Sequence, residues 1–111
     1  MAEKPLRWVG ASRDDLRAFP ATARRTAGHQ LHRVQMGLMP NDWKPMSSVG
    51  GGVHEIRIRA DREHRVLYVA RFQEAVYVLH AFEKKAQRTS KADIELGCKR
   101  LAAVIRARQT R

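Results

Sequence analysis

Three apolar runs, "VHEIRIR" (53–59), "HRVLYVARF" (64–72) and "AVYVLHAF" (75–82), follow one another with only "ADRE" and "QE" between them. Intervals this short leave no room for a crossover helix, so the runs are expected to pair as an antiparallel meander. In the first run Ile56 and Ile58 alternate with Glu55, Arg57 and Arg59. A period of two places the isoleucines on one face and the charged residues on the other, which predicts one core face and one basic face.

The remaining segments fit around that sheet. "PLRWVG" reads as a short first strand able to pair at an edge, and Ser12 is placed to cap a brief helix over "RDDLRAF", with Asp14 and Asp15 at its positive end. Pro20 suits the first turn of a second helix, in which Ala23, Ala27, Leu31, Val34 and Leu38 draw an apolar stripe while Arg24, Arg25 and Arg33 mostly fall off it. Gly and Pro collect in "GLMPNDWKPMSSVGGG", expected to be a long loop (37–52). Ser90 with Asp93 resembles a capping box, and Ile94, Cys98, Leu101 and Ile105 mark the apolar stripe of a last helix. The expected order is β-α-α-β-β-β-α, an α+β class. At 111 residues there is room for one domain, 1–111, with one modest core.

Charge narrows the partners. Lys and Arg number 22 against 11 Asp and Glu, a formal charge of +11. Such a surplus repels itself in the folded state unless a polyanion or an acidic protein neutralises it, which points first to nucleic acid. The single Cys98 excludes an internal disulfide and the usual cysteine-rich zinc sites, and fits a reducing cytoplasm. No stretch approaches the roughly 18 to 20 apolar residues of a membrane span, and "MAEKPLRWVG" has no apolar core of a secretion signal. Neither membrane contact nor a metal is expected.

The candidate polyanion site combines Arg57 and Arg59 on the first strand of the meander, Arg65 on the second, and Lys84 and Lys85 just past the third. Guanidinium groups sharing an open sheet face clamp phosphate bidentately and can stabilise charge developing during RNA cleavage. The bland alternative is a solvated arginine face that discourages aggregation. Arg88 and Lys91 continue the basic run. His80 titrates near neutrality and is a candidate proton carrier. It alternates with Val76 and Val78, however, which favours a core histidine. His54 shares the parity of Ile56 and is expected to be structural; His64 is expected to be exposed in the turn; His29 and His32, three apart on a helix, are a weak metal pattern. Cys98 is read as core filler, Trp43 as a loop anchor, and Tyr68 and Tyr77 as packing residues. "GGG" at 50–52 lacks the lysine and helix start of a phosphate cradle and is read as a hinge.

The strings "WKPM", "GGVHEIRIR", "HRVLYVA" and "VLHAFEKKAQRTSKADIELG" resemble the RelE/ParE superfamily of toxins from bacterial type II toxin–antitoxin modules, in particular its phage-related HigB-like branch. The likeness runs from "LRWVGASRDDLRAFP" to the last helix. It implies a RelE-like fold, an antiparallel sheet of about four strands flanked by two N-terminal helices and one C-terminal helix. It implies a growth-inhibiting toxin that in many relatives cuts messenger RNA on the ribosome, the substrate's 2′-hydroxyl attacking the adjacent phosphate without metal or cofactor. By the same resemblance Arg57 and Arg59 would orient the RNA backbone; Arg88 and Lys91, from the basic run itself, are read as further RNA contacts. Arg65 would touch the scissile phosphate, and Lys84 or Lys85 would stabilise transition-state or leaving-group charge. The partners implied are mRNA with ribosomal RNA around it and a helix-turn-helix antitoxin encoded by the adjacent gene. One departure stands out: no Tyr or His follows His80, so His80, a lysine, or positioning alone must serve proton transfer. ParE-type relatives inhibit DNA gyrase with the same fold, which leaves a non-nuclease toxin and a plain basic nucleic-acid binder as alternatives.

Overall fold

A computed structural model describes residues 3–110. Along the chain run β1 (Leu6–Trp8), α1 (Ser12–Arg17), α2 (Ala21–Gln35), β2 (Trp43–Pro45), β3 (Val53–Arg59), β4 (Glu63–Val69), β5 (Val76–Glu83) and α3 (Lys91–Gln109). The strands form one sheet in the order β1-β5-β4-β3-β2. The expected meander is its centre: β3, β4 and β5 are consecutive antiparallel neighbours. Two features correct the expected four-stranded antiparallel sheet. β1 pairs with β5 in parallel, Leu6 opposite Val76, so the sheet is mixed. The expected long loop holds a fifth strand, β2, with Trp43 opposite Ile56 and Pro45 opposite His54. Proline tolerates such a place because β2 is an edge strand. Trp43 is therefore a strand residue, its ring 4.4 Å from that of His54 and tilted by 30° to it.

Both faces of the sheet are covered, which explains why "VLYVA" and "VYVL" are nearly continuous apolar runs. On one face Ile56, Ile58, Val66, Tyr68, Val76 and Val78 meet Leu16 and Phe19 from α1 and its following turn, and Ala23, Ala27, Leu31 and Val34 of α2. On the other, Val53, Leu67, Val69, Tyr77 and Leu79 pack beneath Leu101 and Val104 of α3, with Ile94, Cys98 and Ile105 partly buried beside them. Gly97 lies on the inner side of α3, where an added Cβ would come within 3.1 Å of both Leu67 and Val49. The helix approaches the sheet this closely because that position has no side chain.

Helix ends follow the sequence at some points and depart from it at others. Ser90 Oγ accepts from the Asp93 backbone N–H at 3.1 Å and donates to its carboxylate at 2.7 Å, the expected cap of α3. Past α2, Gly37 takes φ 84° while its N–H donates to Val34 O and the Leu38 N–H to Arg33 O, a Schellman closure. That closure ends the stripe early and leaves Leu38 exposed. Pro20 stands at the N-cap of α2, one residue earlier than expected. Ser12 is no cap: it is the first helical residue, buried, and donates to Val78 O at 3.0 Å. A register shift where Leu67 faces His80 and Tyr68 faces Val78 leaves Leu79 unpaired in β5. Beyond it Ala81, not His80, continues the face of Val76 and Val78. The expected parity of His80 is thereby reversed.

Candidate functional site

α3 covers only part of its face of the sheet. Counting in twos along β3 from Val53, under the helix, gives Glu55, Arg57 and Arg59; along β4 the same side carries Leu67, Arg65 and Glu63. Arg57 and Arg65 stand directly opposite each other in the ladder. Like charges in that position repel, so the pair persists only with acids close by. Glu55 and Glu63 serve Arg65, and Asp42 serves Arg57 at 3.9 Å and Arg59 at 3.5 Å.

Glu55 is fully buried, and its Oε1 lies 3.4 Å from Arg65 Nε and 3.8 Å from Lys44 Nζ. Its Oε2 accepts from Thr89 Oγ1 at 3.1 Å, which ties the segment between β5 and α3 to the sheet. Arg65 is only 5% exposed and donates from Nη1 to Glu63 Oε2 at 2.8 Å and to His64 O at 3.0 Å. The expected open-face arginine is thus a buried one. The expected exposed His64 is buried too, its ring against Phe19 at 4.6 Å, because β4 begins one residue before it and directs it under α1 and α2.

Lys84 follows the last residue of β5, and its backbone N–H donates to Glu63 O at 2.7 Å. Burial and the Arg65 charge lower the pKa of its ammonium, Glu55 opposes them, and Lys44 and Arg57 add smaller repulsions. Glu63 moves below the ordinary carboxylate range, first through the hydrogen bond from Arg65 and then through the charges of Arg65, Arg59 and Lys84, with burial opposing. Glu63, Arg65, Lys84, Lys85, Ala86 and Gln87 line a cleft of about 390 Å³. Arg59, Lys85, Arg88 and Lys91 are exposed, and Lys91 pairs with Glu95 at 3.8 Å. Of the predicted residues, Arg65, Lys84 and Lys85 share the cleft; Arg57 and Arg59 adjoin it through Glu63 and the ladder; Arg88 and Lys91 lie along the following segment.

His80 is not among the cleft walls. It is 6% exposed, with Nε2 2.7 Å from Asp93 Oδ1 on α3 and Nδ1 3.7 Å from Asp15 Oδ2 on α1. Arg100 closes the group, its Nη1 3.3 Å from the same Asp15 oxygen and 2.9 Å from Leu79 O. His54 bonds Tyr68 Oη at 3.1 Å, and burial lowers its pKa while raising that of Tyr68. His32 pairs with Glu3. Among the described residues no three His, Cys, Asp or Glu side chains gather as a metal site, and no helix is long and apolar enough to cross a membrane.

The acids were the residues that sequence reasoning missed. Glu55 had one available signal, a lone acid between the positions of a basic strand face; Glu63, at the head of β4, and Asp42, in a loop, had none. A family model described as phage derived protein Gp49-like (DUF891) matches residues 14–102. No curated protein matches the chain.

Proposed function

The chain belongs to the phage-derived Gp49-like family, a RelE/toxin-like family, and from that premise we propose that it is the toxin of a type II toxin–antitoxin pair, of the HigB-like branch, that cuts mRNA on the ribosome. The observation that carries the proposal is the cleft in which Arg65 and Lys84 converge beside Arg57 and Arg59. In RNA cleavage of this type the O2′–P bond forms, the P–O5′ bond breaks, and the 2′-hydroxyl proton leaves as the 5′-oxygen takes one up. Fixed cations aimed at the phosphorane accelerate it because negative charge grows on the phosphoryl and leaving oxygens.

Arg65 contacts the scissile phosphate through Nη1, and its Nε is held by Glu55. Lys84 offsets leaving-group charge, Lys85 reinforces it, and Arg57, Arg59, Arg88 and Lys91 carry the flanking backbone. His80, braced by Asp93 and Asp15, positions the start of α3 and so the segment that bears Lys84. The toxin's partner is an antitoxin, proposed to be a helix-turn-helix protein of the adjacent gene. Cell-free translation tests the whole: fragments of mRNA that arise only on translating ribosomes support the assignment. DNA breaks that require gyrase would replace it with a gyrase inhibitor, and neither result would leave a basic nucleic-acid binder.

A further inference from the structure

Arg65 has two working edges, and they are occupied by different kinds of acid. Its Nε faces Glu55, which is fully buried and cannot leave. Its Nη1 donates at 2.8 Å to Glu63, whose side chain is 43% exposed at the first position of β4. Glu63 is also the one acid among the residues that line the cleft. Its second oxygen, Oε1, lies 3.8 Å from Arg59 Nε, and the charge of Lys84 acts on the same carboxylate. The exposed Glu63 carboxylate thus sits where the cations of three segments converge, and it belongs to the protein.

We propose that the Glu63 carboxylate is a built-in stand-in for phosphate: in the free protein it fills the anion position of the cleft, and an RNA phosphodiester must displace it from Arg65. The identity of that anion rests on the nucleolytic function proposed above. Displacement is geometrically simple. The Lys84 backbone N–H donates to the Glu63 carbonyl at 2.7 Å, so the carboxylate can rotate away without breaking the bond that fixes the Lys84 main chain. The buried Glu55 stays 3.4 Å from Arg65 Nε and keeps a compensating charge beside the guanidinium. The arrangement neutralises a cleft that would otherwise bind any passing polyanion, and it sets a threshold that a weakly held phosphate does not pass.

The probe is a short 2′-deoxy oligonucleotide, which lacks the attacking hydroxyl, with binding followed by fluorescence anisotropy at fixed salt. Glu63→Gln removes the competing charge and is expected to bind about three- to fivefold more tightly, the scale of one exposed ion pair. Glu3→Gln adds the same unit of net charge at the His32 pair, outside the cleft, and is expected to change affinity little. Glu63→Thr, which suits a strand, repeats the test should the glutamine perturb folding. Equal gains in the Glu63 and Glu3 variants, or no gain at all, overturn the exchange. No cleavage enters this measurement, so loss of the nuclease assignment in cell-free translation and loss of the exchange are separately visible.

Discussion

Glu55, fully buried, lies against Arg65, almost as deeply buried, with Oε1 at 3.4 Å from Nε, in a ladder that sets Arg65 directly opposite Arg57. Removing one member of a buried ion pair leaves the other charge desolvated and uncompensated, at a cost of about 3–5 kcal/mol. Arg65→Ala is therefore expected to lose stability on that scale in urea denaturation. Arg57→Ala, whose partner Asp42 is at 3.9 Å and partly exposed, should change it by less than about 1 kcal/mol. A non-toxic Arg65→Ala protein is evidence about phosphate contact only after its folded fraction is known.

The Lys84→Ala, Lys85→Ala double variant should keep the fold, since neither side chain enters a core, and lose cleavage by about 10² or more, as expected when a charge-stabilising donor is removed. Because burial and Arg65 lower the Lys84 pKa, activity that needs its ammonium should fall on the alkaline side below the ordinary lysine value of 10.5. Lys84→Arg should move that fall to higher pH. An unchanged alkaline limb would remove Lys84 from the charge-bearing role.

His80→Gln disturbs a buried hydrogen bond to Asp93, with a destabilisation of about 1–3 kcal/mol expected from thermal or chemical unfolding. Cleavage per folded molecule should fall only severalfold, because His80 acts on Lys84 through the start of α3. A drop of a hundredfold in a folded variant would instead make His80 the proton carrier.

The acid limb of stability has a named contributor. Glu74 accepts from Arg108 at 2.6 Å and from Tyr77 Oη at 2.8 Å, and these bonds carry its pKa from 4.5 down to about 2. A folded-state pKa below the unfolded one stabilises fully above pH 4.5, and that contribution disappears as pH falls towards 2. Glu74→Gln should be less stable at neutral pH and show a flatter decline over that window in pH-dependent denaturation.

The central strands, the three helices and the basic residues were legible because period-two and period-3.6 patterns are local. What escaped depended on distant partners. The pairing of Trp43 to Pro45 with β3 needs only three residues and includes a proline, so no local pattern announces it. The burial of Arg65 and His64 depends on how far α1, α2 and α3 reach over the sheet, which alternation within β4 does not encode. The bulge at Leu79 turned the parity of His80 for the same reason: it is a property of the β4–β5 pair and of neither strand alone.

Because β1 pairs in parallel with β5, residues 6–8 find their ladder partners only at 76–78, and the cleft is completed later still by Lys84 and by Thr89 on Glu55. A chain emerging during synthesis has β1, α1 and α2 long before it has the strand that binds them. Contacts this distant in sequence close late. Nascent fragments therefore carry the arginines of β3 and β4 without the assembled cleft, which closes only once β5 and the segment after it have emerged.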